Sequence, residues 1–329
     1  MKTSMSRLTI RRLAWCLIAL SLAGCRRVPE AAPARLGSWS EGTVKQRILA
    51  FVDEVTDPSR DTYVRPAERI AVFDLDGTLI VESPLYLEVL VAGEKLRAVA
   101  IAEPALAELE PYKWLVTEDY DAIREHGSEI VIAAAAQDSL EQFAQDVRSI
   151  LSTGVHPTLG RPYSALFYAP MLELMELLRM NDFRVYVVSQ SQQEYIRAFA
   201  APCLGAEPPF VIGSMIAFHQ EEGSFVRTAA FWEPHNSREG KVLRIRERAG
   251  GAPILAFGNS MGDRQVLEAT ERAPTSLALV LDHDDGVREL EYHHDALLEL
   301  ARERRWEVVS MKRDFVNMFR ENCLATAAP

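Results

Sequence analysis

Four short apolar stretches, spaced along the chain with helical patterns between them, limit what this sequence can fold into. They are Arg69–Asp74 (RIAVFD), Phe183–Ser189 (FRVYVVS), Pro253–Gly258 (PILAFG) and Leu277–Leu281 (LALVL). Each is an unbroken β-branched and aromatic run without polar alternation, the pattern of a strand buried on both faces. Between them lie helices. An amphipathic helix is expected over Val44–Val55. A second starts at Pro170, carries Met171, Leu172, Leu174, Met175, Leu177 and Leu178 on its apolar face, and ends near Asn181. Residues 211–232 alternate more like a hairpin, with Glu222-Gly223 at the turn. Residues 85–151 hold no strand run and are rich in helix formers, including Ala133–Ala136. Strands alternating with helices predict an α/β fold with a doubly wound, mostly parallel sheet. Ligands of such sheets bind beyond the carboxyl ends of the strands, so the residues just after each run are the first candidates for function.

Composition narrows the function classes. The chain has 329 residues, 36 Lys plus Arg against 47 Asp plus Glu, and a net charge of −11. An acidic balance, with no interleaving of aromatic and basic residues, argues against a nucleic-acid partner. The charge is unevenly placed. Residues 1–24 hold Lys2, Arg7, Arg11 and Arg12 and no acid, which leaves 32 basic and 47 acidic residues, or −15, in the rest. The apolar run Leu13–Ala23 that follows is about half the length that spans a bilayer. A basic start, a short apolar run and small residues after it read as a secretory signal over residues 1–24. The run ends in Leu22-Ala23-Gly24-Cys25, which resembles the lipobox of bacterial lipoproteins. That resemblance implies lipidation of Cys25, a membrane anchor, and a location in the cell envelope facing the periplasm or the exterior. Residues 25–43, rich in Pro, Ala, Gly and Ser, read as a tether. Of the other cysteines, Cys203 and Cys323 are free or paired; an oxidising compartment permits either.

The first apolar run leads into Asp74-Leu75-Asp76-Gly77-Thr78. Two carboxylates at i and i+2 after a strand repel one another and raise each other's pKa, a cost that a divalent cation relieves. This pentad resembles the first motif of the haloacid dehalogenase superfamily. The remaining motifs of that family follow in order: Ser189 ends a hydrophobic strand, Lys241 stands near a helix start, and Gly258-Asn259-Ser260-Met261-Gly262-Asp263 supplies an acidic motif after a strand. The tail segments LDHDDGVREL and RRWEVVSMKRDF further resemble exported bacterial hydrolases of this type.

The resemblance implies a set of roles. Asp74 is the carboxylate nucleophile that forms an aspartyl-phosphate, and Asp76 the acid that protonates the leaving oxygen and then activates water. Thr78, Ser189 and the backbone near Gly77 bind the phosphoryl oxygens, while Lys241 neutralises their charge. Mg2+ is held by Asp74, the backbone carbonyl of Asp76, Asn259 and Asp263. Asn259 departs from the usual Asp, so one formal charge is missing and metal affinity is expected to change. Dehalogenases lack an acid at position 76, because a halide leaves without a proton; Asp76 therefore points to a phosphate ester. The implied activity is Mg2+-dependent hydrolysis of a small phosphorylated metabolite. Two other readings remain: an envelope-binding lipoprotein that kept the scaffold but turns over weakly, and a phosphotransferase in which an alcohol replaces water.

The expected organisation is a core of residues 44–82 and 160–329 with a helical cap, residues 83–159, inserted after the first motif. Glu82 is a carboxylate able to face the substrate, or else a cap for the helix after Pro84. Gln190 follows Ser189 where small residues are frequent, placing it on the substrate side. His283-Asp284-Asp285 and His293-His294 read as helix caps and turn, and Arg288 with Glu289 as a local ion pair.

Overall fold

Successive residues of strand β1 (Ile70–Phe73) face opposite sides of a sheet, and every one of them is buried. Ala71 and Phe73 join one apolar cluster, Ile70 and Val72 another, so β1 lies in the middle of three layers. The computed structural model of the chain describes residues 36–136, 138–232 and 234–324. The basic start, the apolar run and Cys25 fall outside the described residues.

Six parallel strands form the central sheet in the order β3-β2-β1-β6-β7-β8. They are β1, β2 (Arg184–Gln192), β3 (Val211–Ser214), β6 (Leu255–Gly258), β7 (Leu277–Asp282) and β8 (Glu307–Ser310). A two-stranded antiparallel ribbon, β4 (Ile216–Glu221) and β5 (Ser224–Phe231), stands apart from it. Helices α1 (Thr43–Thr56), α7 (Ala169–Met180) and α8 (Gln193–Phe199) cover one face. On the other face Ile245 and Ala249 of α9 (Glu239–Ala249), Val266 and Leu267 of α10 (Arg264–Glu271), and Leu297 and Leu298 of α11 (Asp295–Arg304) close the core. The short helix α12 (Met311–Asp314) follows β8. This is the expected α/β class with a doubly wound parallel sheet. The chain leaves β1 toward β2 and leaves β6 toward β7, so strand order reverses between β1 and β6, the switch point at which ligands of such sheets bind.

Among the described residues five α-helices stand between β1 and α7: α2 (Leu87–Ala102), α3 (Tyr112–Val116), α4 (Tyr120–Glu125), α5 (Gly127–Ala135) and α6 (Leu140–Thr153). Among them, Leu96, Leu115, Ile123, Ile130 and Val131 build a separate small core, which makes this insertion a helical cap. The bridge between Ser139 and Val226 links the cap to β5.

Two expectations change. Residues 211–232 are not all hairpin: Val211–Ser214 joins the parallel sheet, and only β4 and β5 form the ribbon, turning at Glu222 and Gly223, both with positive φ. The described end of the expected tether, residues 36–43, is packed rather than free. Trp39 donates its indole N–H to the Pro170 carbonyl at 2.8 Å and meets Phe315 edge-on, while the Ser38 hydroxyl donates to Glu173. Leu36 and Trp39 are buried because the C-terminal segment supplies apolar surface to cover them. Cys203 and Cys323 form a disulfide that ties this C-terminal segment to the core.

Candidate active site

The register of β1 against β6 sets the site. Phe73 pairs with Phe257, and the Asp74 amide donates to the Phe257 carbonyl at 3.0 Å, so Asp74 leaves β1 beside the Gly258-Asn259 end of β6. Lys241, in the first turn of α9, donates to Asp74 Oδ1 and to Asp263 Oδ1, both at 2.7 Å. Asp263 turns its second oxygen to the amides of Asn259 and Ser260, each at 3.2 Å. A Cβ on Gly258 would fall 2.5 Å from the Asp263 Cβ, so this close approach needs glycine. Sequence spacing therefore brings Asp74, Asp76, Ser189, Lys241, Asn259 and Asp263 to the same strand ends, and all six are buried.

Asp76, two residues past Asp74, meets the end of β2. Its Oδ2 accepts from the hydroxyls of Ser191 at 2.7 Å and Ser189 at 3.0 Å. Its Oδ1 is buried without a partner among the described residues. Burial pushes the Asp76 carboxyl up; the Ser191 bond opposes this, the Glu82 charge adds to it, and the result is a pKa of about 6. Burial and the Asp263 charge likewise push Asp74 well above the carboxylate range, against the pull of Lys241. Burial opposes the charge on Lys241, but Asp263 and Asp74 outweigh it and hold the ammonium above its ordinary range.

Three predicted phosphoryl ligands sit differently from the expectation. The Thr78 hydroxyl is wholly buried and donates to Asn259 Oδ1 at 3.4 Å, so it braces the asparagine instead of facing an incoming oxygen. The Gly77 amide donates to the Ile80 carbonyl at 2.8 Å and the Thr78 amide to Leu75, which closes the turn and uses up both donors. Among the described residues the amides of Leu75 and Asp76 make no such bond, and these are the amides the turn leaves for a ligand. Ser189 holds Asp76. Gln190 is exposed at the end of β2.

Glu82 caps no helix: α2 begins at Leu87 with no side-chain cap. Its Oε1 accepts from Asn259 Nδ2 at 2.6 Å and the Tyr292 hydroxyl at 2.9 Å, and faces His294 Nε2 at 3.3 Å. Burial alone would raise Glu82, but the His294 bond, the nearby His283 and the Tyr292 hydroxyl bring it below its ordinary value. Gly77, at φ +69°, makes room for this contact, since a Cβ there would sit 2.0 Å from Asn259 Nδ2 and 2.5 Å from the Glu82 carboxyl carbon.

Residues read as turn form a buried brace behind the site. His283 contacts the Gly77 carbonyl through Nε2 at 2.8 Å and Glu289 through Nδ1 at 3.2 Å; Glu289 in turn accepts from the Tyr168 hydroxyl. Arg288 pairs with Asp285, not with Glu289. Asn236 is a second missed residue: its Nδ2 donates to the carbonyls of Ser189 at 2.6 Å and Ile212 at 3.0 Å, pinning β2 to β3. The signal for His283 was its place just past a strand end, the position that also marked Asp74 and Asn259.

Among the described residues no three His, Cys, Asp or Glu side chains converge as a ready-made metal cage. The donors nonetheless fit a hard divalent cation. Two carboxylates, Asp74 and Asp263, share one ammonium, Asp76 and Glu82 add acidic charge beside them, and among the described residues a buried Asp76 oxygen has no partner. A cation held by Asp74, the Asp76 carbonyl and Asn259 would answer that imbalance.

The chain also has known likenesses. A structure of a protein of unknown function from Bordetella pertussis Tohama I is 19% identical, covering 74% of this chain and 98% of its own, at a TM-score of 0.51. A conserved functionally unknown protein from Anaerococcus prevotii DSM 20548 is 17% identical over 81% of this chain and 91% of its own, at 0.56. Both share the fold. No curated protein matches. The family model described as haloacid dehalogenase-like hydrolase matches residues 71–268, the span that carries every motif residue of the site, and the chain belongs to that family.

Proposed function

We propose that this protein is a Mg2+-dependent phosphomonoester hydrolase that works through an aspartyl-phosphate on a small phosphorylated metabolite in the cell envelope. One observation carries the reading: a buried nucleophilic carboxylate held by Lys241 stands beside a second carboxyl, Asp76, whose pKa near 6 lets it give and take a proton. Asp74 attacks phosphorus as the ester P–O bond breaks, and Asp76 passes its proton to the departing alcohol oxygen. The Asp76 carboxylate then takes a proton from water as that water attacks the aspartyl-phosphate, releasing phosphate and restoring Asp74. Lys241 and the Leu75 and Asp76 amides stabilise the charge on the transferring oxygens. Asp74, the Asp76 carbonyl and Asn259, with Asp263 behind them, would hold Mg2+, which would supply further positive charge at those oxygens.

Export and anchoring through Cys25 belong to the same proposal. The basic and apolar leader supports it, as does the Cys203–Cys323 disulfide, a bond that persists in oxidising compartments. Among the described residues no helix is long and apolar enough to cross a membrane. Mass spectrometry of the mature protein is expected to find acyl chains on Cys25 as residue one.

The test of activity is phosphate release from a panel of phosphate monoesters with Mg2+, comparing the native protein with Asp74→Asn. Turnover is expected for at least one ester and none for the variant, with both folded by circular dichroism. Equal turnover in Asp74→Asn refutes the mechanism. Asn259 favours the competing reading of a binding scaffold, and no turnover across the panel by the native protein decides for it.

A further inference from the structure

Asn259 reads as a loss of charge only while it is viewed alone. Its amide nitrogen lies 2.6 Å from Glu82 Oε1, and its amide oxygen accepts from Thr78, so the orientation of the amide follows from its partners. An aspartate at 259 would set a second carboxylate against Glu82 at that distance. The asparagine turns the same contact into a hydrogen bond and lets a carboxylate come in from the other side of the turn. The pair carries the single negative charge that an aspartate would carry alone.

We propose that Glu82 presents to the divalent cation the carboxylate charge that position 259 lacks. The inference rests on the metal-dependent reading of the site given above. Glu82 suits the role better than Asp263. Asp263 has both oxygens engaged, by Lys241 and by two backbone amides. The Oε2 of Glu82 makes no hydrogen bond among the described residues, while Oε1 is steered by Asn259, Tyr292 and His294. Groups of this kind, bonded to a ligand's far side, fix its direction and hold it ionised. The side chain is 10% exposed and lies against Gly77, next to Asp76, whose buried Oδ1 lacks a partner among the described residues. Hard cations take carboxylate oxygens in preference to amide oxygens, and affinity rises with ligand charge.

The experiment is calorimetric titration of the full-length protein with MgCl2 alone, with urea melts in EDTA to check folding, on native protein, Glu82→Gln, Asn259→Asp and the double variant. Glu82→Gln is expected to weaken Mg2+ binding by about tenfold or more. The double variant, which moves the charge to position 259, is expected to return to within about threefold of native. Asn259→Asp, which leaves Glu82 in place, is expected to be less stable than native in EDTA and to gain more from Mg2+, because its two facing carboxylates then need a cation between them. Unchanged Mg2+ affinity in Glu82→Gln, a double variant as weak as Glu82→Gln, or Asn259→Asp as stable as native in EDTA each overturns the inference alone. Native protein that binds no Mg2+ overturns the metal-dependent reading and this inference with it.

Discussion

Lys241→Met separates the electrostatic argument for this site from a merely structural one. The Lys241 ammonium contacts Asp74 and Asp263 at 2.7 Å each, and the three side chains are 5%, 9% and 5% exposed. Methionine matches the length of the lysine stem and fills the same channel, so the cavity contribution is small. What changes is charge: two buried carboxylates keep their crowding and lose the cation between them. Removing one partner of a buried pair costs about 3–5 kcal/mol. Proton uptake recovers part of this, because Asp74 already sits above its ordinary range through burial and the Asp263 charge. A loss of about 3 kcal/mol at neutral pH in EDTA is therefore expected. The sign with pH follows from linkage. A carboxyl whose pKa is higher folded than unfolded penalises the native state above its folded pKa, and the penalty fades as pH falls through it. The deficit of Lys241→Met should shrink between pH 7.5 and 5. Urea unfolding followed by tryptophan fluorescence reads both quantities. A loss below about 1 kcal/mol, or a deficit that grows as pH falls, refutes the reasoning.

Three further outcomes follow from the same geometry. Ser191→Ala removes the shorter of two hydroxyl bonds to ionised Asp76, each of the kind worth about 1.5–3 kcal/mol, and leaves that of Ser189. The alkaline limb of kcat/KM, which needs protonated Asp76, should move upward by roughly one pH unit; an unmoved or lowered limb counts against the role of Asp76 as acid. Native protein in EDTA should gain about 1–2 kcal/mol of stability from pH 7.5 to 5, since Asp76 titrates near 6 folded against 3.8 unfolded; urea midpoints across that range test it. Cys203→Ser opens a bond that closes a separation of 120 residues, so the variant, or reduced native protein, should lose about 2–4 kcal/mol in urea relative to the oxidised chain.

The pattern of what the sequence disclosed has a physical cause. Strands buried on both faces leave unbroken apolar runs, which is why β1, β2, β6 and β7 could be read directly. β8 has only two apolar residues and is half-buried over its first two positions, and β3 abuts the ribbon, so neither stands out from its surroundings. Residues 36–43 looked like a tether because Leu36 and Trp39 are isolated apolar residues, and the Phe315 that covers Trp39 is far along the chain. The site divides the same way. Asp74, Lys241 and Asp263 were legible because each stands at a strand end or a helix start. The contacts of Glu82 and Glu289 were not, because hydrogen bonds join Glu82 to Asn259 across 177 positions and Tyr168 to Glu289 across 121. A motif position records which side chain stands there, but not what faces it. Asn259 taken alone subtracts a charge; placed against Glu82, it is the uncharged half of a pair, and only the fold puts the two halves in contact.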